Sequence, residues 1–247
     1  MVTAWSLHLV LTVPLLVLAA GAQTSKPEPL PSLSLEQRGD IFMARKMYRE
    51  AIDIYKQAPK DSAVIWNKIG IAYHQMLQLD LAKSHYERAL KLNPRYPEAT
   101  NNLGAVYYAK KSYRRAASRY KKALELNPNS ATVHSNLGTA YFARKKYQEA
   151  FESYQKALSL DPEVFEQRGS FGVLLQDRSV AERAKFYFYL AKTYAQAGAN
   201  ERALLYMRKA LEEGFKERNK FVEDPEFAAL RKLPEFQQLL AMEPRVL

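Results

Sequence analysis

Few side chains in this chain of 247 residues could do acid–base or covalent chemistry. Beyond the apolar N-terminal segment the histidines are His74, His85 and His134. Cysteine is absent, which excludes disulfides, thiolate metal sites and a cysteine nucleophile. No H-E-x-x-H, G-x-S-x-G or phosphate-binding glycine loop occurs, and the acidic residues are scattered. The sequence therefore predicts no enzyme, no metal site and no cofactor.

A second set of side chains suits recognition, and its members recur at intervals of 34 residues. One row is formed by Asn67, Lys68, Asn101, Asn102 and Asn136, and another by His74, Tyr108 and Phe142, with Met43 before it. A side-chain amide both donates and accepts, so it can bind a peptide backbone of any sequence. Aromatic side chains offer apolar pockets to alternate side chains of an extended peptide.

Basic residues form a third set and account for the net charge of +11. Residues 63–96 hold five basic and two acidic groups, and residues 97–130 hold seven and two. The clusters are Arg45, Lys46 and Arg49; Lys110, Lys111, Arg114 and Arg115; and Arg144, Lys145 and Lys146. The corresponding segment at 76–80 reads Met-Leu-Gln-Leu-Asp. Clustered cations attract phosphate-rich or acidic surfaces.

The elements that position these sets are predicted by an internal repeat. Pro94, Pro128 and Pro162 lie 34 residues apart, and small and aromatic residues recur between them. The recurring marks are Trp66, Ile69, Gly70, Tyr73, Ala82, Tyr86 and Ala89; Leu103, Gly104, Tyr107, Ala116, Tyr120 and Ala123; and Leu137, Gly138, Tyr141, Ala150, Tyr154 and Ala157. Small residues let two helices approach to about 8–10 Å. A proline after each second helix ends it.

These marks resemble the tetratricopeptide-repeat (TPR) pattern over residues 32–240. The resemblance implies an all-α solenoid of five helix-turn-helix copies, whose stacking makes a continuous core. We expect copies at 32–62, 63–96, 97–130, 131–164 and 184–217, with an insert at 165–183 and a cap at 218–247. Residues 224–236 resemble the closing segment of many bacterial TPR proteins. TPR solenoids are mostly protein-interaction modules, which implies a non-catalytic scaffold.

Local signals mark the ends of several helices. Ser179 and Glu182 have the spacing of a capping box, so a helix should begin at Val180. Gly214 should end the second helix of the fifth copy. Pro225 and Pro234 each stand where a short helix can begin.

In TPR folds the first helix of each copy lines the concave face, so the resemblance places the amide and aromatic rows in a groove for a protein or extended peptide. We expect exposed asparagines there to contribute little to the fold. The alternative is that such residues are simply common at these positions. The clamp that binds chaperone C-termini is not expected, because Asn67, Ile71, Thr132 and Asn136 stand where other clamp groups would be.

Stacked copies should align the basic turns into one edge. This edge supports a second interpretation, an adaptor that binds an anionic surface such as lipid headgroups or an envelope polymer. The alternative is that the cations are only solvated. Nucleic acid is a less favoured partner because the chain is expected to be exported.

The N-terminal residues predict export. Trp5 to Ala20 is almost wholly apolar and is followed by Ala20-Gly21-Ala22, an A-x-A site, so we expect cleavage after Ala22 and a periplasmic or extracellular product. No Lys or Arg precedes the apolar run, so an uncleaved anchor is the alternative. Residues 23–31 are proline-rich and predict an extended linker.

Overall fold

The computed structural model describes residues 33–166 and 179–242. The predicted signal peptide, the proline-rich linker and residues 167–178 of the predicted insert lie outside the described residues. Within the two described ranges every regular element is helical and no strand occurs, which confirms the all-α prediction. No helix in this part of the chain combines the length and apolarity that crossing a bilayer requires.

The helices come in pairs joined by short turns. The pairs are α1 (Leu35–Ala44) and α2 (Tyr48–Tyr55), α3 (Ala63–Gln75) and α4 (Leu79–Leu92), α5 (Pro97–Ala109) and α6 (Tyr113–Leu126), α7 (Ala131–Ala143) and α8 (Tyr147–Leu160), and α9 (Val180–Gln196) and α10 (Asn200–Glu212). A closing segment follows, with α11 (Lys220–Glu223), 3₁₀ turns at Pro225–Phe227 and Leu230–Lys232, and α12 (Pro234–Ala241). We refer to the five pairs as copies one to five.

The predicted helix ends are confirmed. Ser179 caps α9, its side chain accepting from the Glu182 amide while Glu182 accepts from the Ser179 amide. Gly214 follows α10 with φ +77°, a left-handed conformation that glycine adopts without strain. Pro225 and Pro234 occupy the first position of their helical turns, where a missing backbone donor costs nothing.

All five turns between first and second helices have the same geometry. In copy two the Leu77 amide donates to the His74 carbonyl and the Gln78 amide to the Tyr73 carbonyl, each at 2.9 Å, which is a Schellman motif. The motif requires one left-handed residue. That residue is Lys46, Leu77, Lys111, Lys145 and Gly198 in successive copies. A non-glycine residue adopts this conformation at a cost of about 1–2 kcal/mol.

A glycine facing a tyrosine ring sets the spacing of the helices within copies one to four. A methyl group on Gly104 would lie 2.6 Å from Cε1 of Tyr120, and Gly70 stands in the same relation to Tyr86. Both tyrosines are buried. The fifth copy replaces the pair by Ala191 and Met207, which are also fully buried. A larger residue on the first helix is thus matched by a thinner, flexible one on the second.

The closing segment covers the fifth copy with aromatic side chains. Phe188 of α9 stacks on Phe215 at 4.5 Å between ring centroids and lies edge-on to Phe221 at 5.1 Å. Phe227 and Phe236 are fully buried in the same core. Since a solenoid leaves its last helix pair uncovered, this segment buries apolar surface that would otherwise face water.

The glycine–tyrosine contact predicts a specific rescue. We expect Gly104→Ala to lower the free energy of unfolding by about 1–3 kcal/mol through overpacking, despite the higher helix propensity of alanine. Adding Tyr120→Met, which copies the fifth repeat, should recover part of that loss. Urea unfolding of parent, both single variants and the double variant gives the coupling energy. A coupling energy near zero would contradict the contact as the determinant of helix spacing.

Candidate partner-binding faces

A ladder of side-chain amides runs across copies two to four on the first helices. Asn136 Nδ2 donates to Asn101 Oδ1 at 3.0 Å, Asn101 Nδ2 to Asn102 Oδ1 at 3.4 Å, and Asn102 Nδ2 to Asn67 Oδ1 at 3.0 Å. Asn67 Nδ2 lies 3.5 Å from the Tyr96 hydroxyl. The predicted amide row therefore forms one connected chain, which we call the amide ladder.

The asparagines of the amide ladder are more buried than the sequence predicted. Asn67 is 5% exposed, and Asn101, Asn102 and Asn136 are half-buried. The expectation that these amides are exposed is wrong, because each is buried or half-buried and bonds to an amide of another copy or to its neighbour. Their contribution to stability stays a prediction, now in the opposite direction. Sequence spacing alone shows only that the residues share a face, since their mutual bonds depend on the stacking distance between copies.

An ion pair takes the place of the amides between copies one and two. Lys68 Nζ lies 2.7 Å from Glu36 Oε1 and 2.6 Å from Asp40 Oδ2. The Tyr55 hydroxyl also donates to Asp40 at 2.6 Å. Burial alone would lower the pKa of Lys68, but the hydrogen bonds to Asp40 and Glu36 outweigh it and raise that pKa. Lys68 is thus held on this face as a paired cation.

The predicted aromatic row is only partly on the surface. His74 is half-buried, and burial lowers its pKa, which favours the neutral imidazole. Tyr108 is half-buried, with its ring 5.1 Å from that of Tyr113. Phe142 is 3% exposed and packs edge-on against Phe186 of α9 at 5.4 Å, so it belongs to the core and its assignment to the groove is wrong. The fifth copy covers it.

The predicted basic edge lies at the turns between first and second helices. Lys110 forms an ion pair with Asp80 of copy two, and Lys146 with Glu149 of its own copy. Arg115 lies over the Tyr107 ring at 5.9 Å and Arg144 over the Tyr141 ring at 6.0 Å. In the part of the chain that the structure describes, no ion pair joins Lys111, Arg114, Arg115, Arg144 or Lys145 to an acid. Five of the seven cations of the edge thus have no ion-pair partner in the described ranges.

The backbone of the turns adds a feature that the basic pattern alone did not indicate. Lys46, Lys111 and Lys145 occupy the left-handed position of the Schellman turn, and Leu77 occupies it in copy two. A cation there also interacts favourably with the C-terminal end of the helix dipole. Aligning the repeats on Gly198 of the fifth copy would have identified this position, since glycine is the usual residue at such a site.

The described residues contain no group of His, Asp and Glu side chains arranged to hold a metal ion. His74 and His85 each meet aromatic rings instead, His85 stacking between Trp66 and Tyr73 at 5.4 and 5.1 Å. The His134 imidazole lies 2.9 Å from the Pro128 carbonyl. The three histidines that could have done chemistry therefore serve in local packing and hydrogen bonding.

Comparison with known proteins agrees with the repeat geometry. The family model for the tetratricopeptide repeat matches residues 32–95, 61–129 and 95–163, which together cover more than half of the chain. The chain belongs to the tetratricopeptide-repeat family. Solenoids of this family are protein-interaction scaffolds and are typically not catalytic.

Individual relatives are distant. A curated protein of Guillardia theta, ycf37, whose function is uncharacterized, is 36% identical over 66 residues, or 24% of this chain and 37% of that protein. The match thus spans little more than a third of the relative. Crystal structures of MamA are similar in fold, one at 22% identity with a TM-score of 0.50 over 71% of this chain and 93% of that one. A structure of MamA from Desulfovibrio magneticus RS-1 is 21% identical, with a TM-score of 0.51 over 72% of this chain and 92% of that one.

The amide ladder predicts a stability effect. We expect Asn102→Ala to lower the free energy of unfolding by about 1–3 kcal/mol, because Asn67 and Asn101 both lose their partner on a half-buried face. Asn127→Ala is the matched control, since Asn127 is an exposed asparagine at the end of α6. Urea unfolding with both variants measures the difference. Equal stability of the two variants would mean that the ladder does not hold the copies together.

Proposed function

We propose that this TPR protein is an exported scaffold that holds a protein or extended peptide along the face formed by its first helices. The observation that carries the proposal is the amide ladder, a row of half-buried hydrogen-bonding groups that crosses three copies. Within the ladder Asn101 and Asn102 each use one donor and one acceptor. Each amide therefore keeps a second N–H and a second lone pair for a bound backbone.

Small side chains beside the ladder leave room for such a backbone. Ala105 is half-buried and Ala109 exposed on α5, and Ala143 is half-buried on α7. His74 and Tyr108 occupy the same helix position in copies two and three. A backbone could approach the amides, while side chains of the bound peptide contact the imidazole and the phenol ring.

Site-specific photocrosslinking tests this proposal. A benzophenone amino acid in place of Tyr108 should crosslink a defined partner in the producing cells, whereas the same residue in place of Lys122 on α6 should not. Adding Ala109→Trp should then reduce the crosslink at least about tenfold by placing an indole on the first-helix face beside position 108. Ala229→Trp in the closing segment controls for an added indole, since Ala229 is also exposed. Equal crosslinking from positions 108 and 122 would contradict the proposal.

A second candidate function is supported by the uncompensated edge. Five of its seven predicted cations, namely Lys111, Arg114, Arg115, Arg144 and Lys145, form no ion pair within the described ranges. Charges that the fold does not neutralise can bind an anionic surface without first breaking an internal contact. The protein would then act as an adaptor that binds an anionic surface through this edge and a protein partner through the first-helix face.

Export is part of the proposal and rests on the A-x-A site at Ala20 to Ala22. We expect the exported chain to begin at Gln23. Intact mass spectrometry of protein recovered from culture medium or envelope fractions measures this directly. A mass that retains residues 1–22 in a membrane fraction would identify the segment as an anchor, and the scaffold would then be tethered.

A further inference from the structure

One edge of the stack combines cations with exposed leucine. In copy two the left-handed turn residue is Leu77, which is 77% exposed, and Leu81 in the first turn of α4 is 46% exposed. The homologous turn residues of copies one, three and four are Lys46, Lys111 and Lys145, and all three are exposed. We call Leu77 and Leu81 the apolar tip of the basic edge.

The left-handed turn residues of copies two, three and four have the same backbone conformation, so their side chains project from equivalent points of the repeat. Leu77, Lys111 and Lys145 share φ values of 59°, 57° and 61° and the same pair of turn hydrogen bonds. Lys110 of copy three also pairs with Asp80, which lies between Leu79 and Leu81. The apolar tip therefore stands directly beside the cations of copy three.

The fold gives no reason for leucine at position 77. Its side chain is the most exposed of the large hydrophobic residues that the structure describes. It also occupies a backbone conformation that a non-glycine residue adopts at a cost in stability. A solvated edge would be served by Gly, as in copy five, or by Lys, as in the other copies.

We propose that this edge docks on an anionic lipid bilayer, with Leu77 and Leu81 entering the headgroup–acyl boundary and the lysines and arginines of copies three and four contacting lipid phosphates. The proposal rests on the second candidate function and names its surface. Charge complementarity explains the cations, and only a surface with an apolar interior explains the leucines. A soluble anionic polymer would satisfy the cations alone.

The acidic groups at the edge are compatible with this orientation. Asp80 and Glu149 pair with Lys110 and Lys146, so each is neutralised by a neighbouring cation. Glu50 in the first turn of α2 is an exposed acid beside the turn of copy one. Counted over the turn clusters alone, copies three and four therefore carry most of the excess positive charge, and copy three stands next to the tip.

The test uses the chain that starts at Gln23, so that the apolar N-terminal segment cannot itself hold vesicles. Parent protein should sediment with phosphatidylcholine vesicles containing phosphatidylglycerol and not with phosphatidylcholine alone. Leu77→Gln with Leu81→Gln should weaken that binding at least about fivefold and leave binding to inorganic polyphosphate unchanged. Gln in place of Lys110, Lys111, Arg114 and Arg115 should weaken both at least about tenfold. Leu92→Gln is the matched control, being 42% exposed at the far end of α4.

Fluorescence gives a readout that does not depend on affinity. Tryptophan at position 77 should shift to the blue on anionic vesicles and be quenched by brominated acyl chains. Tryptophan at position 92, about 20 Å away along α4, should do neither, and Trp66 in the parent gives the background.

If the leucine variants bind vesicles as the parent does and position 77 is not quenched, the proposal that the leucines insert into the bilayer is wrong, and binding is due to the basic edge alone. If the parent bound polyphosphate but did not sediment with anionic vesicles, the ligand would be a polymer and the bilayer proposal would be wrong. Binding to neither at low salt would overturn both proposals.

Discussion

The close contact between a glycine and a tyrosine ring is the constraint on which the rest of the structure depends. A methyl group on Gly70 would lie 2.6 Å from the Tyr86 ring, so the ring can fill the gap between α3 and α4 only because glycine has no side chain. The contact sets one helix spacing in four copies. Equal hairpins then stack in one register, and homologous residues of neighbouring copies meet. In the fifth copy the same two positions hold Ala191 and Met207, both fully buried, so a larger residue on the first helix is accompanied by a slimmer one on the second.

The repeated register explains why one position uses two chemistries. Glu36 meets Lys68 between copies one and two, and Asn67 meets Asn102 between copies two and three. Asn101 meets Asn136 in the next interval with the same 3.0 Å distance. The stack is therefore joined by polar bonds on the first-helix face and by apolar packing inside.

The sequence predicted most of the fold because the responsible interactions are local. Pro225, Pro234, Ser179 and Gly214 act within one turn of the chain, and each appears where the sequence placed it. The candidate site was harder to predict from the sequence. Asn102 lies on the predicted face, but its bond to Asn67 depends on the rise between copies, which no spacing within one copy reveals. Phe142 is buried by Phe186 of α9, which follows the break in the repeat register, and the spacing within one copy does not show that the two rings meet.

The two faces differ in what binding must disrupt. A peptide on the amide ladder can use the unused donor of Asn101 while the bonds between copies stay intact, so the solenoid can hold a partner without loosening. At the edge, Lys111 and Arg114 exchange only water for a ligand. The ladder lies along the first helices and the edge lies at their C-terminal turns, so the two proposed sites use different residues. A scaffold built in this way can dock on a surface through its turns and present the first-helix face to a protein, because the same hairpin spacing that aligns the asparagines also aligns the turns.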